Sequence, residues 1–377
     1  MSEQNTDVMD RISDTVRERR LANHETPVLL MVSGGSDSTA LAYIADELRK
    51  RQLTGPLAML HVNHKLRGEA SDGDAEFVRE LAEELSIPFF LCEIDVAKIA
   101  SDTGQNTEAV ARQERYSAAQ EALESLCLHT QTPLSSGRIF TAHTQNDRVE
   151  SFYMRSIVGT GPGGFRAMRY QNGPVCRPCL DVGRDDLRDY LRRRALDVDA
   201  GEDVALVRDA AGGLWREDAT NAHTDRFRSY VRHEIVPRAQ DRNPQLLDTL
   251  CRTMNLIADE DEMLDVQAQG ILETDVIWLD EVDVTEPDYS QGCLIVPGFA
   301  RHPVPLQRRA ADKALQLMLG PDARVESTSV AAVTGAFSSK EPISGYTGNI
   351  QGDIALSANK NGLRIEPMSA YRARRKK

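Results

Sequence analysis

The sequence predicts an α/β protein: a doubly wound, mainly parallel sheet followed by a helical domain and a small α+β carboxyl-terminal part. Three observations carry this. Between residues 27 and 144, short runs rich in Val, Ile, Leu and Phe alternate with longer stretches whose apolar residues recur at three and four, the pattern of a parallel sheet with helices on both faces. Near residue 225 the alternation stops and helical spacing dominates to about 319. From 345 to 367, strand-like pieces are separated by Asn-Gly and Gln-Gly turn signals. The expected domains are therefore 1–225, carrying the sheet, 226–319, helical, and 320–377, small α+β with a basic tail.

The strands expected in the first domain are Val28–Val32, Leu57–Val62, Pro88–Val96 and Arg138–Ala142. Between them, Leu41, Ile44 and Leu48 mark one face of a helix over 39–51, and Phe77, Leu81 and Leu85 one over 72–85. A third helix is expected over 108–126. In open sheets of this kind ligands bind beyond the carboxyl ends of the strands, so motifs following strands are the ones to weigh. In the last part, Ile354-Ala-Leu and Leu363-Arg-Ile read as strands, and the final seven residues as a frayed basic tail.

Composition narrows the class. Among the 377 residues, 41% are apolar and 27% charged, ordinary globular usage that weighs against collagenous, disordered and membrane-spanning chains. Six cysteines (92, 127, 176, 179, 251 and 293) are scattered rather than framed for disulfides, so reduced thiols are expected. With no basic-then-apolar leader and no run of about 18 apolar residues, a cytoplasmic location is expected. The net charge of −13 argues against a polyanionic partner at first sight. Twelve acids, however, lie in one base-free stretch from 259 to 288, leaving 45 − 46 = −1 for the rest of the chain. A near-neutral body with local arginine clusters is compatible with nucleic acid.

Ser33-Gly-Gly-Ser-Asp-Ser-Thr39 follows the first strand and opens a helix. Gly34 and Gly35 let consecutive N–H groups converge on an anion, and the helix amino end adds its dipole. Ser33, Ser36 and Ser38 can add hydroxyl donors. There is no Gly-Lys-Ser/Thr ending, which separates this loop from the Walker type. Asp37 would repel a phosphate unless a divalent cation lay between them. The loop resembles the Ser-Gly-Gly-x-Asp-Ser element of the PP-loop ATP pyrophosphatases, the adenine nucleotide alpha hydrolase-like group. That resemblance implies cleavage of ATP between its α and β phosphates, with Mg²⁺ as cofactor and Asp37 as the metal-binding candidate.

Four further segments narrow the resemblance. His61-Val-Asn-His64-Lys-Leu-Arg67 ends the second strand, and Glu108-Ala-Val-Ala-Arg112-Gln-Glu-Arg115-Tyr116 puts Glu108, Arg112 and Arg115 on one helix face. Ala142-His143-Thr-Gln-Asn146-Asp147-Arg-Val-Glu150 leads to Arg155 and to a Gly-Thr-Gly run over 159–164, expected as a flexible loop over the nucleotide. Asp147 and Glu150, three apart, project from one side of a helix start and can grip an ammonium or a metal. Trp215-Arg-Glu217-Asp218-Ala-Thr220-Asn221 precedes five arginines between 226 and 242 that face only two acids, a plausible RNA backbone contact. Together these segments resemble the tRNA(Ile)-lysidine synthetase family, with Asn146 and Ser229 where the family usually has Asp and Asn.

The resemblance implies ATP-dependent ligation of L-lysine to C2 of the wobble cytidine in a CAU-anticodon tRNA(Ile), through an adenylated tRNA. It implies catalytic roles for Asp37, Arg112, Asp147 and Glu150. ATP binding falls to Ser33, Gly34, Gly35, Ser36, Asp37, Ser38, His64, Arg112, Arg115 and His143. Lysine binding falls to Asp147, Glu150 and Arg228, and tRNA binding to Arg67, Arg155, Arg226, Arg232, Arg308 and Arg309. The helical domain becomes the tRNA-binding part, no membrane is involved, and a homodimer is among the assemblies allowed. Two alternatives stay open: a tRNA 2-thiolation enzyme using Cys176 and Cys179, whose Cys-x-x-Cys spacing suits sulfur chemistry, and a nucleotide-binding module without this chemistry. Replacement of two small apolar core positions is the preferred reading of the cysteines.

Overall fold

The computed structural model describes residues 7–66, 68–217, 227–279, 288–320, 323–338 and 341–375. The chain separates into two units, Met1–Ile257 and Ala258–Lys377. The first opens with α1 (Val8–Glu18), β1 (Val28–Met31), α2 (Ser36–Lys50), β2 (Leu57–Asn63), α3 (Glu69–Glu84), β3 (Phe89–Glu93), α4 (Val96–Thr103) and α5 (Thr107–Thr130). It continues through β4 (Arg138–Phe140), α6 (Gln145–Val158), β5 (Gln171–Asn172), β6 (Val175–Cys176) and α7 (Arg184–Asp199). A helical run follows: α8 (Phe227–Tyr230), a π-helical stretch Val231–Ile235, α9 (Val236–Gln240) and α10 (Leu246–Asp275). The four expected strands and three expected helices are all present, with ends moved by a few residues.

The sheet order is β3-β2-β1-β4-β6-β5. Its pairs are parallel except β5 with β6, and Leu29 lies opposite both Ala58 and Ile139. Alternate strand residues face opposite layers, as burial on both faces requires. Val28, Leu30, Met59 and Phe140 pack with α1, α2, α3 and α7, whereas Leu29, Ala58, Leu60 and Ile139 pack with Ala119, Ala122, Leu123 and Leu126 of α5. Full burial of one such leucine contributes about 1.5–3 kcal/mol. Winding runs outward from β1 through β2 to β3, then returns to β4 on the other side of β1. The crevice between the carboxyl ends of β1 and β4 is thus the topological switch point, where such sheets bind ligands.

The second unit is built on a five-stranded antiparallel sheet, β11-β12-β13-β8-β7. Its strands are β7 (Val276–Trp278), β8 (Cys293–Ile295), β11 (Thr347–Ile350), β12 (Ile354–Asn359) and β13 (Gly362–Pro367), with a small β9 (Phe337–Ser338) and β10 (Glu341–Pro342) pair beside it. Ala268, Ile271 and Leu272 of α10 and Ala310, Ala311, Ala314 and Leu315 of α11 (Val304–Leu319) form its core with the sheet and α12 (Ser327–Gly335). Two expectations change here. The stretch read as helical to 319 contains β7 and β8, too short for a two-residue period to show. The basic end is not frayed over its described part: α13 (Met368–Arg375) is held by Arg374, which donates to Glu366 Oε1 at 2.6 Å and Ser357 Oγ at 3.2 Å. Among the described residues no helix is long and apolar enough to cross a membrane.

Candidate active site

The switch point places the loop after β1 against the start of α6 after β4. Gly34 has φ +89°, and its carbonyl accepts from Thr39 Oγ1 at 3.1 Å and from the Arg216 N–H at 2.9 Å. A side chain at Gly34 would be strained by that φ. Ser38 Oγ bonds Ser33 Oγ and the Gly35 carbonyl, each at 3.0 Å, so the serines knit the loop into a fixed shape. Gly35 caps α2 without a side-chain acceptor, and the first N–H groups of the helix remain available to an anion.

Three carboxylates and three guanidinium groups meet beside this loop. Asp37 Oδ2 accepts from Arg184 Nε at 3.0 Å, and Oδ1 from Ser36 Oγ at 3.0 Å. Asp147 is a helix cap as well as a charge. Its Oδ2 accepts from the Thr144 N–H at 2.8 Å, while Oδ1 accepts from Arg228 at 2.9 Å and Arg184 at 3.4 Å. Glu150, 2% exposed, accepts from Arg228 Nε at 2.8 Å and from Arg232 at 2.6 and 3.1 Å. Burial works to raise the pKa of Asp147, but Arg184 and Arg228 outweigh it and hold the carboxyl below its ordinary value. At Asp37 burial dominates and the pKa is raised despite Arg184.

Arg232, expected on tRNA, is thus committed to Glu150. Arg184, which sequence reasoning passed over, stands at the centre. It is the first residue of α7, and its backbone N–H donates to Asn146 Oδ1 at 2.9 Å. The unusual Asn146 therefore caps α7 and fixes where Arg184 begins. Between the two acids of α6, Arg148 turns the other way into the core, where Asn255 accepts at 2.9 Å and Asp181 lies at 3.4 Å. Also missed was Arg216, whose guanidinium reaches Asp74 at 3.0 Å and Asp209 at 3.3 Å beside Gly34.

The two histidines close the crevice at β2 and β4. His64 Nε2 lies 3.3 Å from Arg115, and its Nδ1 is buried with no partner among the described residues. Burial, with Arg115 and His61, pushes its pKa down to about 4. His143 bonds Thr141 through Nδ1 at 2.9 Å. Burial pushes its pKa down to about 4, with Asp147 opposing and Arg177, Arg228 and Arg112 adding to the fall. Both rings are therefore neutral near pH 7. The unfolded chain takes up the His143 proton from about pH 6.5 downward and the folded one only near 4. The stability this neutral ring contributes is complete above about pH 6.5 and is lost as pH falls toward 4. H143N is accordingly expected to lose less stability than the wild type between pH 7 and pH 5, read as the shift of the urea midpoint.

Other expected residues lie in various settings. Arg112 sits over the Tyr116 ring at 5.1 Å, and Glu108 makes no ion pair with it among the described residues. Arg155 donates to the Gly164 carbonyl, and 162–166 forms a 3-10 turn, so the glycine run is folded onto α6 rather than left as an open loop. In the second unit, Arg309 is taken up by Asp261 at 2.5 Å and Asp265 at 2.7 Å, and Lys313 by Asp265 at 3.8 Å. Part of the acidic stretch is thus neutralised locally, and Arg308 is left exposed. Arg67, Asp218, Thr220, Asn221 and Arg226 lie outside the described residues.

Cys176 and Cys179 are fully buried in the main core. Burial pushes Cys176 up to about 11 and Cys179 higher still, the opposite of the activated thiolate that sulfur chemistry needs. Among the described residues no group of three or more His, Cys, Asp or Glu is placed to hold a metal ion.

Comparison with known proteins gives a coherent picture. The PP-loop domain family matches residues 4–239. A tRNA(Ile)-lysidine synthase of Thermus thermophilus is 33% identical over 312 residues, 82% of this chain and 53% of that protein. One from Chlorobaculum tepidum is 31% identical over 262 residues, 68% of this chain and 70% of that protein. The chain thus spans about half the length of the Thermus protein, as it does of several other curated relatives it matches. Among solved structures, the U34-tRNA thiolase NcsA from Methanococcus maripaludis aligns with TM-score 0.47 and 16% identity over 67% of this chain and 78% of that one.

Proposed function

The chain belongs to the PP-loop family and within it to the tRNA(Ile)-lysidine synthases, and from that premise we propose that it ligates L-lysine to C2 of the wobble cytidine of a CAU-anticodon tRNA(Ile). The observation that carries this is the direct link of the phosphate loop to paired carboxylates: Asp37 and Asp147 share Arg184, at 3.0 and 3.4 Å. A site that activates with ATP and then receives an amine needs an anion-binding turn and an ammonium-binding pair side by side, and this is where such sheets bind ligands.

In the first step the C2 oxygen attacks the α-phosphate, the bond to the β-phosphate breaks and pyrophosphate leaves. The carbonyl oxygen, a poor leaving group, becomes part of a good one. In the second step the ε-ammonium first gives up a proton to water, the free amine then attacks C2, AMP departs with that oxygen, and the new C–N nitrogen passes its extra proton to solvent. The loop N–H groups, Ser33, Ser36 and Ser38 position the phosphates. His64 and His143, kept neutral, serve as hydrogen-bond partners rather than charges. Arg112 and Arg115 offset charge on the nucleotide. Asp147 and Glu150 hold the lysine ammonium, and Arg228 pairs with lysine's carboxylate. Asp37 fits a magnesium ion, which favours one carboxylate combined with substrate phosphates; the ion would neutralise charge on the phosphates. For tRNA, exposed Arg308 and Arg155 and the arginines at 67 and 226 are the candidates, and the cytoplasm, where tRNA resides, is the proposed location.

The test is incubation with ATP, labelled lysine and a CAU-anticodon tRNA(Ile) transcript: label is expected in tRNA only when ATP is present. Its absence would overturn the reading and favour a nucleotide-binding module. In the same assay a double C176A/C179A variant is expected to incorporate lysine as the wild type does, because both thiols are buried in the core and protonated, and Cys176 bonds the Leu21 carbonyl rather than the acid–arginine cluster. Loss of lysine incorporation in a folded double variant would show that the two thiols take part in the reaction.

A further inference from the structure

The six charges at the crevice balance, three carboxylates (Asp37, Asp147, Glu150) against three arginines (184, 228, 232). Only Arg184, among the described residues, touches both sides of the site. Its Nε is 3.0 Å from Asp37, one terminal nitrogen 3.4 Å from Asp147 and the other 3.9 Å from Glu150. Among the described residues, Arg228 and Arg232 pair with Asp147 and Glu150 and not with Asp37. The Arg184 side chain is 18% exposed, and its backbone is pinned by Asn146. A change of partner by its guanidinium would leave the start of α7 in place.

Resting on the lysidine synthase reading, we propose that Arg184 is a positioning residue that couples ATP binding to lysine binding. Lysine brings a net positive charge to carboxylates that are already neutralised, so it binds poorly while all three arginines stay in place. ATP with a magnesium ion would bring net negative charge to the loop, and Asp37, as the residue that would hold the ion, would be drawn away from Arg184. The guanidinium turns onto the phosphates, which takes one positive charge away from Asp147 and Glu150; Arg228 and Arg232 still pair with them, but the group regains net negative charge for the incoming ammonium. Order of binding is thereby imposed by a shared ion pair: the acceptor amine is held firmly only when there is ATP to spend on activation. By linkage the same coupling tightens ATP when lysine is present.

The experiment is calorimetric titration of lysine into the 377-residue chain with and without magnesium and α,β-methylene-ATP, which cannot be cleaved at the reacting bond. The wild type is expected to bind lysine at least about fivefold more tightly with the analogue, the lower end of ordinary coupling between sites. In R184M the two affinities should converge, because the third positive charge is already absent from beside Asp147 and Glu150. R184K keeps the charge but lacks the fork that reaches two acids at once, and should show a reduced ratio in a fully folded protein. A wild-type ratio in both variants, or a ratio of one in a wild-type protein that incorporates lysine into tRNA, overturns the coupling and leaves the function standing. A wild-type protein that neither binds nor incorporates lysine overturns both.

Discussion

E150A is expected to lose lysine incorporation and about 3 kcal/mol of stability together. Glu150 is 2% exposed and is the acceptor for Arg228 and Arg232 at 2.6 to 3.1 Å. Removing one partner of a buried ion pair leaves uncompensated charge, which typically costs about 3–5 kcal/mol. The low end applies here because the Arg228 side chain is 42% exposed and can turn to water. E150Q keeps the shape and one acceptor oxygen, so it should retain more of the stability while still failing to hold an ammonium. Urea midpoints and lysine incorporation for the two variants separate the effects. A fully stable E150A would show that the arginines are solvated without their acid, and that the cluster is not what holds α8 to α6.

D37N is expected to act the opposite way, with activity lost and stability kept. Burial raises the pKa of Asp37 against the pull of Arg184, so the folded protein holds the charged form at a cost that the isosteric amide avoids. The Ser36 hydroxyl, 3.0 Å from Oδ1, can still donate to the amide oxygen. What the amide lacks is the charge that lets a carboxylate share a cation with phosphates. tRNA-dependent ATP–pyrophosphate exchange is expected to fall about 10²–10³-fold, the scale seen when a preorganised electrostatic partner of the transition state is removed. Exchange at the wild-type rate in D37N would remove Asp37 from the reaction.

The parts of the site that could be read in the sequence are those whose chemistry is local. The loop from Ser33 to Thr39, the two histidines and the acids of α6 each follow a strand within a few residues, and strand-to-helix alternation alone brings them to one edge. Arg184 and Arg216 carry no such sign. Each looks like one more arginine in an arginine-rich chain, and its meaning arises when distant segments meet: Arg184 with Asp37, 147 residues away, and Arg216 with Asp74, 142 residues away. Arg232 and Arg309 meet their acids in the same way, Glu150 and Asp261. A cationic side chain reads as an RNA contact until the fold supplies an acid to occupy it. Asp147 shows the converse, because half of its carboxylate serves as a helix cap, a role that the Thr144-x-x-Asp147 spacing already carried.

The Arg216 strut has a bearing on how such chains can change through descent. Its backbone meets Gly34 and its side chain meets α3, so the three residues from Trp215 to Glu217 measure a fixed span between phosphate loop and neighbouring helix. The exposed turn at 201–203 just after α7 bonds back only onto the end of that helix and onto itself among the described residues, and spans no such gap. A residue inserted in that turn is therefore expected to be borne, whereas one inserted beside Arg216 is expected to lift the strut from the loop.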